Sequence, residues 1–87
     1  MKIKVKFYGF VQLIIGKVEL ELEFPASSSL EDVWNYLLQT YPQLKGQDIK
    51  KMTLAKIKNE TLEHDEWAKV SITQNESIEF YSLLAGG

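Results

Sequence analysis

Cysteine and arginine are both absent from this 87-residue chain. Without cysteine there is no disulfide framework, no thiolate metal site and no cysteine nucleophile. A fold made without disulfides suits a reducing compartment. Arginine is the residue of choice for bidentate phosphate and base contacts, so nucleic acid is not an expected partner of a chain whose ten basic residues are all lysines. The single histidine, His64, cannot build a metal site alone, and the carboxylates show no EF-hand spacing, so no metal is expected. Glycines at 9, 16, 46, 86 and 87 form no phosphate loop, which excludes an ATP site of the chain's own. No apolar run approaches the roughly 18 residues of a membrane span. The opening MKIKVKFYGF alternates instead of building a signal-peptide core. The expectation is a cytoplasmic protein with no membrane partner.

Catalytic residues are equally scarce. There is no G-x-S-x-G turn to strain a serine nucleophile. His64 sits in Glu63-His64-Asp65-Glu66, a run that reads as solvated surface. The formal charge of −2 leans toward a basic partner but is too small to require one.

What is present is enough for one core. The chain is 45% hydrophobic, with two tryptophans, four tyrosines and four phenylalanines, and its length suits a single domain. Lys2 to Phe7 alternates strictly, with Ile3, Val5 and Phe7 on one face and Lys2, Lys4 and Lys6 on the other, which predicts a half-buried strand. Lys17 to Phe24 alternates again, with Val18, Leu20, Leu22 and Phe24 inside and Glu19, Glu21 and Glu23 outside. A lysine row beside a glutamate row predicts an antiparallel pair whose wet faces match. The link from Gly9 to Gly16 carries Phe10, Val11, Leu13, Ile14 and Ile15, too apolar for a plain turn. It reads as a short helical turn or a wide loop packed under the sheet.

Pro25-Ala26-Ser27-Ser28-Ser29 breaks the second strand and starts a helix. Ser28 with Glu31 fits a capping box, and Ser29 with Asp32 is the competing register. Leu30, Val33, Trp34, Leu37, Leu38 and Tyr41 then form an amphipathic stripe that Pro42 closes. Residues 43–52 read as a loop or short helical turn. Leu54, Ala55 and Ile57 suggest a third strand, Asn59-Glu60-Thr61 a turn, and Leu62 to Val70 a short edge strand or loop. Gln74-Asn75-Glu76 is a turn with Asn75 left-handed. A last strand from about Ser77 to Leu83 puts Ile78 and Phe80 on one face and Glu79, Tyr81 and Leu83 on the other.

This order predicts an α+β fold, a mixed four- to five-stranded sheet with one main helix packed across it. The first and last strands can pair in parallel at its centre, which is a β-grasp. Trp34 and Tyr41 read as core. Trp67 reads either as cover for a sheet edge or as a partner contact. Tyr81 and Leu83, outward-facing beside Leu84, read as a docking patch close to the chain end.

The chain ends on Gly86-Gly87. At ordinary glycine usage such a pair arises by chance in about 0.5% of chains. It leaves the terminal carboxylate without neighbouring side chains, on backbone able to thread a narrow pocket of another protein.

Hairpin, helix, strand, last strand and diglycine tail together resemble the MoaD/ThiS group of ubiquitin-like sulfur carriers, closest to MoaD, the small subunit of molybdopterin synthase. The resemblance covers the whole chain. Its most specific parts are KVKFYGF, the apolar link ending at Gly16, and Asn75-Glu76-Ser77-Ile78-Glu79-Phe80 leading into LLAGG. Ser82-Leu83 stands where such tails often carry a proline pair, and Gln74-Asn75 where the family has an Asp-Gly turn.

The resemblance implies a β-grasp domain over 1–81 and a flexible tail over 82–87. It implies that the Gly87 carboxylate is adenylated by a MoeB-like activating enzyme using ATP and converted to a thiocarboxylate. Sulfur then passes to a pterin precursor held by a larger MoaE-like subunit, making the molybdopterin dithiolene. Gly86, Ala85 and Leu84 would enter the partner's site, with Tyr81 and Leu83 docking at its surface in a hetero-oligomer. The chain itself would bind no cofactor. From Ser82 the tail spans at most about 20 Å. The same features fit a protein modifier conjugated through Gly87, a carrier serving thiamine or tRNA thiolation, or an interaction domain with an inert tail.

Overall fold

Strict alternation at the N-terminus becomes β1 (Lys2–Tyr8), which buries Ile3, Val5 and Phe7 and turns its lysines out. The structure is a computed structural model that describes residues 1–82. β2 (Glu19–Glu23) runs antiparallel to β1 and pairs Lys2 with Glu23, Lys4 with Glu21 and Lys6 with Glu19. The ion pair within reach is diagonal, Lys4 Nζ to Glu19 Oε2 at 3.9 Å. Exposed pairs of this kind are worth under about 1 kcal/mol each, so register rests on the buried alternation as much as on charge. Val18 departs from the expected inward row: it precedes β2 and is 61% exposed. Its carbonyl still accepts from the Phe7 amide at 2.9 Å and extends the ladder.

The apolar link is α1 (Phe10–Ile15), entered through Gly9 at φ 71° and left through Gly16 at φ 77°. So short a helix has little stability alone; burial of Val11 and Ile15 holds it against the core. α2 (Leu30–Thr40) crosses the same face of the sheet. Its cap takes the Ser29–Asp32 register. The Asp32 amide donates to Ser29 Oγ at 3.1 Å, and the Ser29 amide donates to Asp32 Oδ2 at 2.8 Å. Ser28 is unavailable because it is buried and donates to the Pro25 carbonyl, while Glu31 pairs with Lys50. Leu30, Val33, Trp34 and Leu37 are buried along the predicted stripe, and Leu38 and Tyr41 pack at its margin.

A 3-10 segment, Pro42–Met52, buries Leu44 and Ile49 and leads to β3 (Thr53–Ile57). β4 (Glu60–Glu63) pairs antiparallel with β3. The turn between them is Lys58-Asn59, both at positive φ, as a two-residue hairpin requires. The expected Asn59-Glu60-Thr61 turn is therefore corrected: Glu60 and Thr61 already pair with Ile57 and Lys56. A second 3-10 segment, His64–Lys69, follows.

β5 (Ser77–Ser82) inserts between β1 and β3, giving the order β2-β1-β5-β3-β4 with β1 and β5 parallel at the centre. Asn75 is left-handed at φ 65°, as its turn predicts. Ser82 pairs with Thr53, so the sheet runs one residue beyond the expected 1–81 limit.

Trp67 is fully buried, which removes partner contact from its two readings. Its ring meets Trp34 at 5.4 Å and Phe80 at 5.4 Å, and its Nε1–H donates to the Leu62 carbonyl of edge strand β4. No helix among the described residues is long and apolar enough to cross a membrane.

Candidate functional site

Because strand side chains alternate, residues paired across the sheet line up on one face. Tyr8 lies beside Tyr81 across the β1–β5 pair, and Tyr81 lies opposite Leu54 across the β5–β3 pair. This row runs across the face opposite α2, at the end of the sheet where β5 finishes. The two rings stack with centroids 5.0 Å apart and planes 19° from parallel. The next row down is charged and alternates in sign: Glu19, Lys6, Glu79, Lys56. An apolar, aromatic strip is thus bordered by balanced charge, the pattern of a docking patch with a polar rim.

Glu79 ties the two rows together. Tyr81 Oη donates to Glu79 Oε1 at 2.5 Å, and Tyr8 Oη donates to Oε2 at 3.5 Å. The phenol of Tyr81 is pushed up from its ordinary 10.0 to about 12. Its hydrogen bond to Glu79 is the largest cause, since a phenolate has no proton to donate. Partial burial, the Glu79 charge and Tyr8 add to it. Across neutral pH the strip therefore presents an uncharged ring. A groove of about 250 Å³ lies beside it, lined by Leu54, Lys56, Thr61 and Tyr81.

The end of β5 is pinned. The Phe10 amide donates to Ser82 Oγ at 3.1 Å. Gly9 brings its backbone so close that a Cβ there would stand 3.1 Å from the Ser82 carbonyl oxygen. A side chain at Gly9 is thus excluded twice, by positive φ and by contact. β5 therefore ends at a fixed point beside Tyr81.

Tyr81 faces outward as predicted, although stacking leaves it half-buried. Sequence reasoning missed Tyr8 and Leu54. Both were within reach: Tyr8 continues the outward row of Lys2, Lys4 and Lys6, and Leu54 alternates with buried Ala55. Leu83, Leu84, Ala85, Gly86 and Gly87 lie outside the described residues. His64 is half-buried, not solvated, and lines a recess on the α2 side of the molecule. Among the described residues no group of three or more His, Cys, Asp or Glu side chains could hold a metal ion.

No protein-family model matches the chain, and no curated protein matches it. Solved structures do. A putative molybdopterin converting factor, subunit 1, from Pyrococcus furiosus superposes with a TM-score of 0.78 at 14% identity, over 94% of this chain and 97% of its own. Small archaeal modifier protein 1 from Methanosarcina acetivorans gives 0.74 at 22% identity, over 99% and 96%. Urm1 from Trypanosoma brucei gives 0.70 at 23%, over 99% and 95%. The likeness establishes the ubiquitin-like β-grasp, the fold expected from the resemblance to MoaD and ThiS.

Proposed function

We propose that this protein is a ubiquitin-like sulfur carrier whose reactive group is the Gly87 carboxylate. The observation that carries the proposal is the pinned end of β5: Ser82 is fixed beside the Tyr8–Tyr81–Leu54 strip, and only Leu83 to Gly87 follow it in the sequence. A docking patch at the root of a tail ending in diglycine is what a protein needs in order to hand its terminus to another enzyme.

The chemistry explains the division of labour. A carboxylate is a poor electrophile. A MoeB-like enzyme would transfer AMP from ATP to the Gly87 carboxylate and release pyrophosphate. Hydrosulfide then attacks the acyl carbon, AMP leaves with the bonding pair, and a thiocarboxylate remains. Its sulfur is a soft nucleophile for a substrate held by another subunit. In the finer reading that subunit is MoaE-like and the product is the molybdopterin dithiolene. The fold of the Pyrococcus furiosus converting-factor subunit supports that reading. In this scheme Gly86, Ala85 and Leu84 enter the partner's channel, and Tyr81 and Leu83 dock outside it.

A second reading is a modifier joined to lysines through Gly87, and the likeness to small archaeal modifier protein 1 favours it. Both readings share the adenylation step and divide afterwards. Intact-mass measurement after incubation with ATP, hydrosulfide and a cognate activating enzyme tests the first. The expected result is the gain of one oxygen-to-sulfur exchange on the C-terminal peptide. A mass that never changes, with adenylation proven by pyrophosphate release, refutes sulfur carriage. Conjugate ladders that vanish when Gly86-Gly87 is deleted would instead establish the modifier.

A further inference from the structure

The sheet has two edges, β2 and β4, and they are not alike. At β4 the Glu63 amide is already taken, because it donates to Glu66 Oε1 at 2.9 Å as the chain turns into the His64–Lys69 segment. At β2 nothing comparable occurs. The Phe7 amide donates to the Val18 carbonyl at 2.9 Å, and Met1 and Phe24 exchange bonds of 2.6 and 2.9 Å. Residues between such pairs in an antiparallel ladder turn their backbone groups the other way. Glu19, Glu21 and Glu23 therefore aim their N–H and C=O groups out of the sheet, and among the described residues none of these groups has a partner. They repeat at every second residue along about 17 Å of strand, a ready template for one more strand.

Both flanks of this edge are also incomplete. On the outer face only Glu19 reaches a lysine, Lys4, while Glu21 and Glu23 make no ion pair among the described residues. On the helix side the core stops short of the edge: Leu20, Leu22 and Phe24 pack against it but stay half-buried. Tyr36 of α2, which meets the Phe24 ring edge-on at 5.7 Å, is still 41% exposed. β1 shows what satisfies such a strand, since it sets Lys-Ile-Lys-Val-Lys against Glu-Leu-Glu-Leu-Glu on the inner side. The unpaired side presents the same two faces.

We propose that β2 is a docking edge for an extended segment of another protein in which lysines or arginines alternate with apolar residues. Its backbone would continue the sheet on Glu19, Glu21 and Glu23, its basic side chains would meet the glutamates, and its apolar ones would cover Leu20, Leu22 and Phe24. A second copy of this chain is the wrong occupant, because both edge strands carry glutamate and no lysine, so pairing edge to edge would set like charges together. β1 separates this edge from Tyr81 and Leu54, and the proposal stands whether or not the tail carries sulfur.

A capped hexapeptide, acetyl-Lys-Val-Lys-Ile-Lys-Val-amide, serves as the probe. It is titrated into a ¹⁵N-labelled sample of the full chain while the amides of Glu19, Glu21 and Glu23 are followed, with Thr61 on β4 as the reference. The expected result is a saturable shift of the three β2 amides, slower hydrogen exchange at each, and little movement of Thr61. The acidic counterpart, with glutamate for lysine, should bind at least about tenfold more weakly. Glu21→Lys should weaken the basic peptide about fivefold and tighten the acidic one by a similar factor, an exchange that simple damage to the fold would not produce. Two N-methylated versions isolate the backbone bonds. Methyls on the lysine amides should abolish binding if the added strand is antiparallel, and methyls on the apolar amides if it is parallel, with the other version retained. The proposal is overturned if the β2 amides do not saturate at millimolar peptide, if Thr61 shifts as far as they do, or if both methylated versions bind alike. It is equally overturned if the β2 amides shift with protein concentration alone, which would make a second copy the occupant.

Discussion

Replacing Gly9 by alanine isolates the backbone joint that fixes the end of β5 at Ser82. Gly9 sits at φ 71° and ψ −140°, a region that side-chain-bearing residues almost never occupy, at a cost of about 1–3 kcal/mol. The added Cβ would also stand 3.1 Å from the Ser82 carbonyl, a contact with backbone, which cannot swing aside as a side-chain tip could. Together these put the loss for Gly9→Ala near the top of that range, about 3 kcal/mol. Gly16 supplies the control. It is left-handed too, at φ 77° and ψ 14°, but a Cβ there meets nothing within 4 Å. Gly16→Ala should therefore cost only the intrinsic penalty of the left-handed conformation, about 1 kcal/mol.

Urea unfolding followed by the buried tryptophan cluster separates the two. With a slope of about 1 kcal/mol per molar for so small a domain, the midpoints should fall by about 3 M and about 1 M. Hydrogen exchange locates the damage: the Phe10 amide, which donates to Ser82 Oγ, should lose protection in Gly9→Ala and keep it in Gly16→Ala. Equal midpoint shifts for the two variants would refute the close-approach argument and leave only conformational strain.

Three further perturbations address the core and the strip. Trp67→Ala should cost about 3–5 kcal/mol in urea unfolding because it opens a cavity against Trp34 and Phe80, and a loss under about 1 kcal/mol would mean the ring cluster is not the core. Tyr81 should titrate in alkaline absorbance near its folded value of about 12 and, in Glu79→Gln, move back toward 10.0, since the Glu79 hydrogen bond is the leading cause of the shift. A pKa raised by folding means that the stabilisation is complete below the unfolded value and is lost as pH climbs from about 10 through about 12, so the wild type should lose stability over that window and Glu79→Gln should lose less of it. Leu54→Asp, at a half-buried position on the outer face, should lower the melting point by only a few degrees, since it faces Glu63 across the β3–β4 pair, but lower kcat/KM for adenylation by a cognate activating enzyme at least about tenfold, and an unaltered rate would remove the strip from the docking surface.

Much of the fold was legible because its signals are local. The periods of two in residues 2–7 and 77–82 and the helical stripe from Leu30 to Tyr41 each lie within one element, so pattern alone locates them. The readings that failed or were left open turn on contacts that no single element's period reveals. Ser28 loses the cap to Ser29 because it is buried beneath the Pro25 turn, and Glu31 is drawn away by Lys50, nineteen positions on. The hairpin turn falls on Lys58-Asn59 because β4 needs Glu60 and Thr61 for its ladder, and no lysine advertises a left-handed turn. Trp67 follows an acidic run that suggests surface, yet the apolar demand of Trp34 and Phe80 draws it into the core.

The same distinction bears on the docking strip. Tyr81 could be assigned to the outer face from β5 alone, but an isolated outward tyrosine would be an ordinary surface residue. What distinguishes it is the parallel pairing of β1 with β5, which sets Tyr8 against a residue from the far end of the chain and brings Glu79 under both phenols. That pairing also sets Gly9 and Phe10 around Ser82, so one long-range contact both builds the patch and fixes the end of β5. A variant that weakened only the patch, such as Leu54→Asp, and one that disturbed only the exit, such as Gly9→Ala, should therefore impair presentation of Gly87 in different ways. The first should raise KM for the activating enzyme with kcat retained. The second should lower kcat, because the terminus is held but misdirected. If both variants raised KM alone, the exit joint would have no role beyond stability.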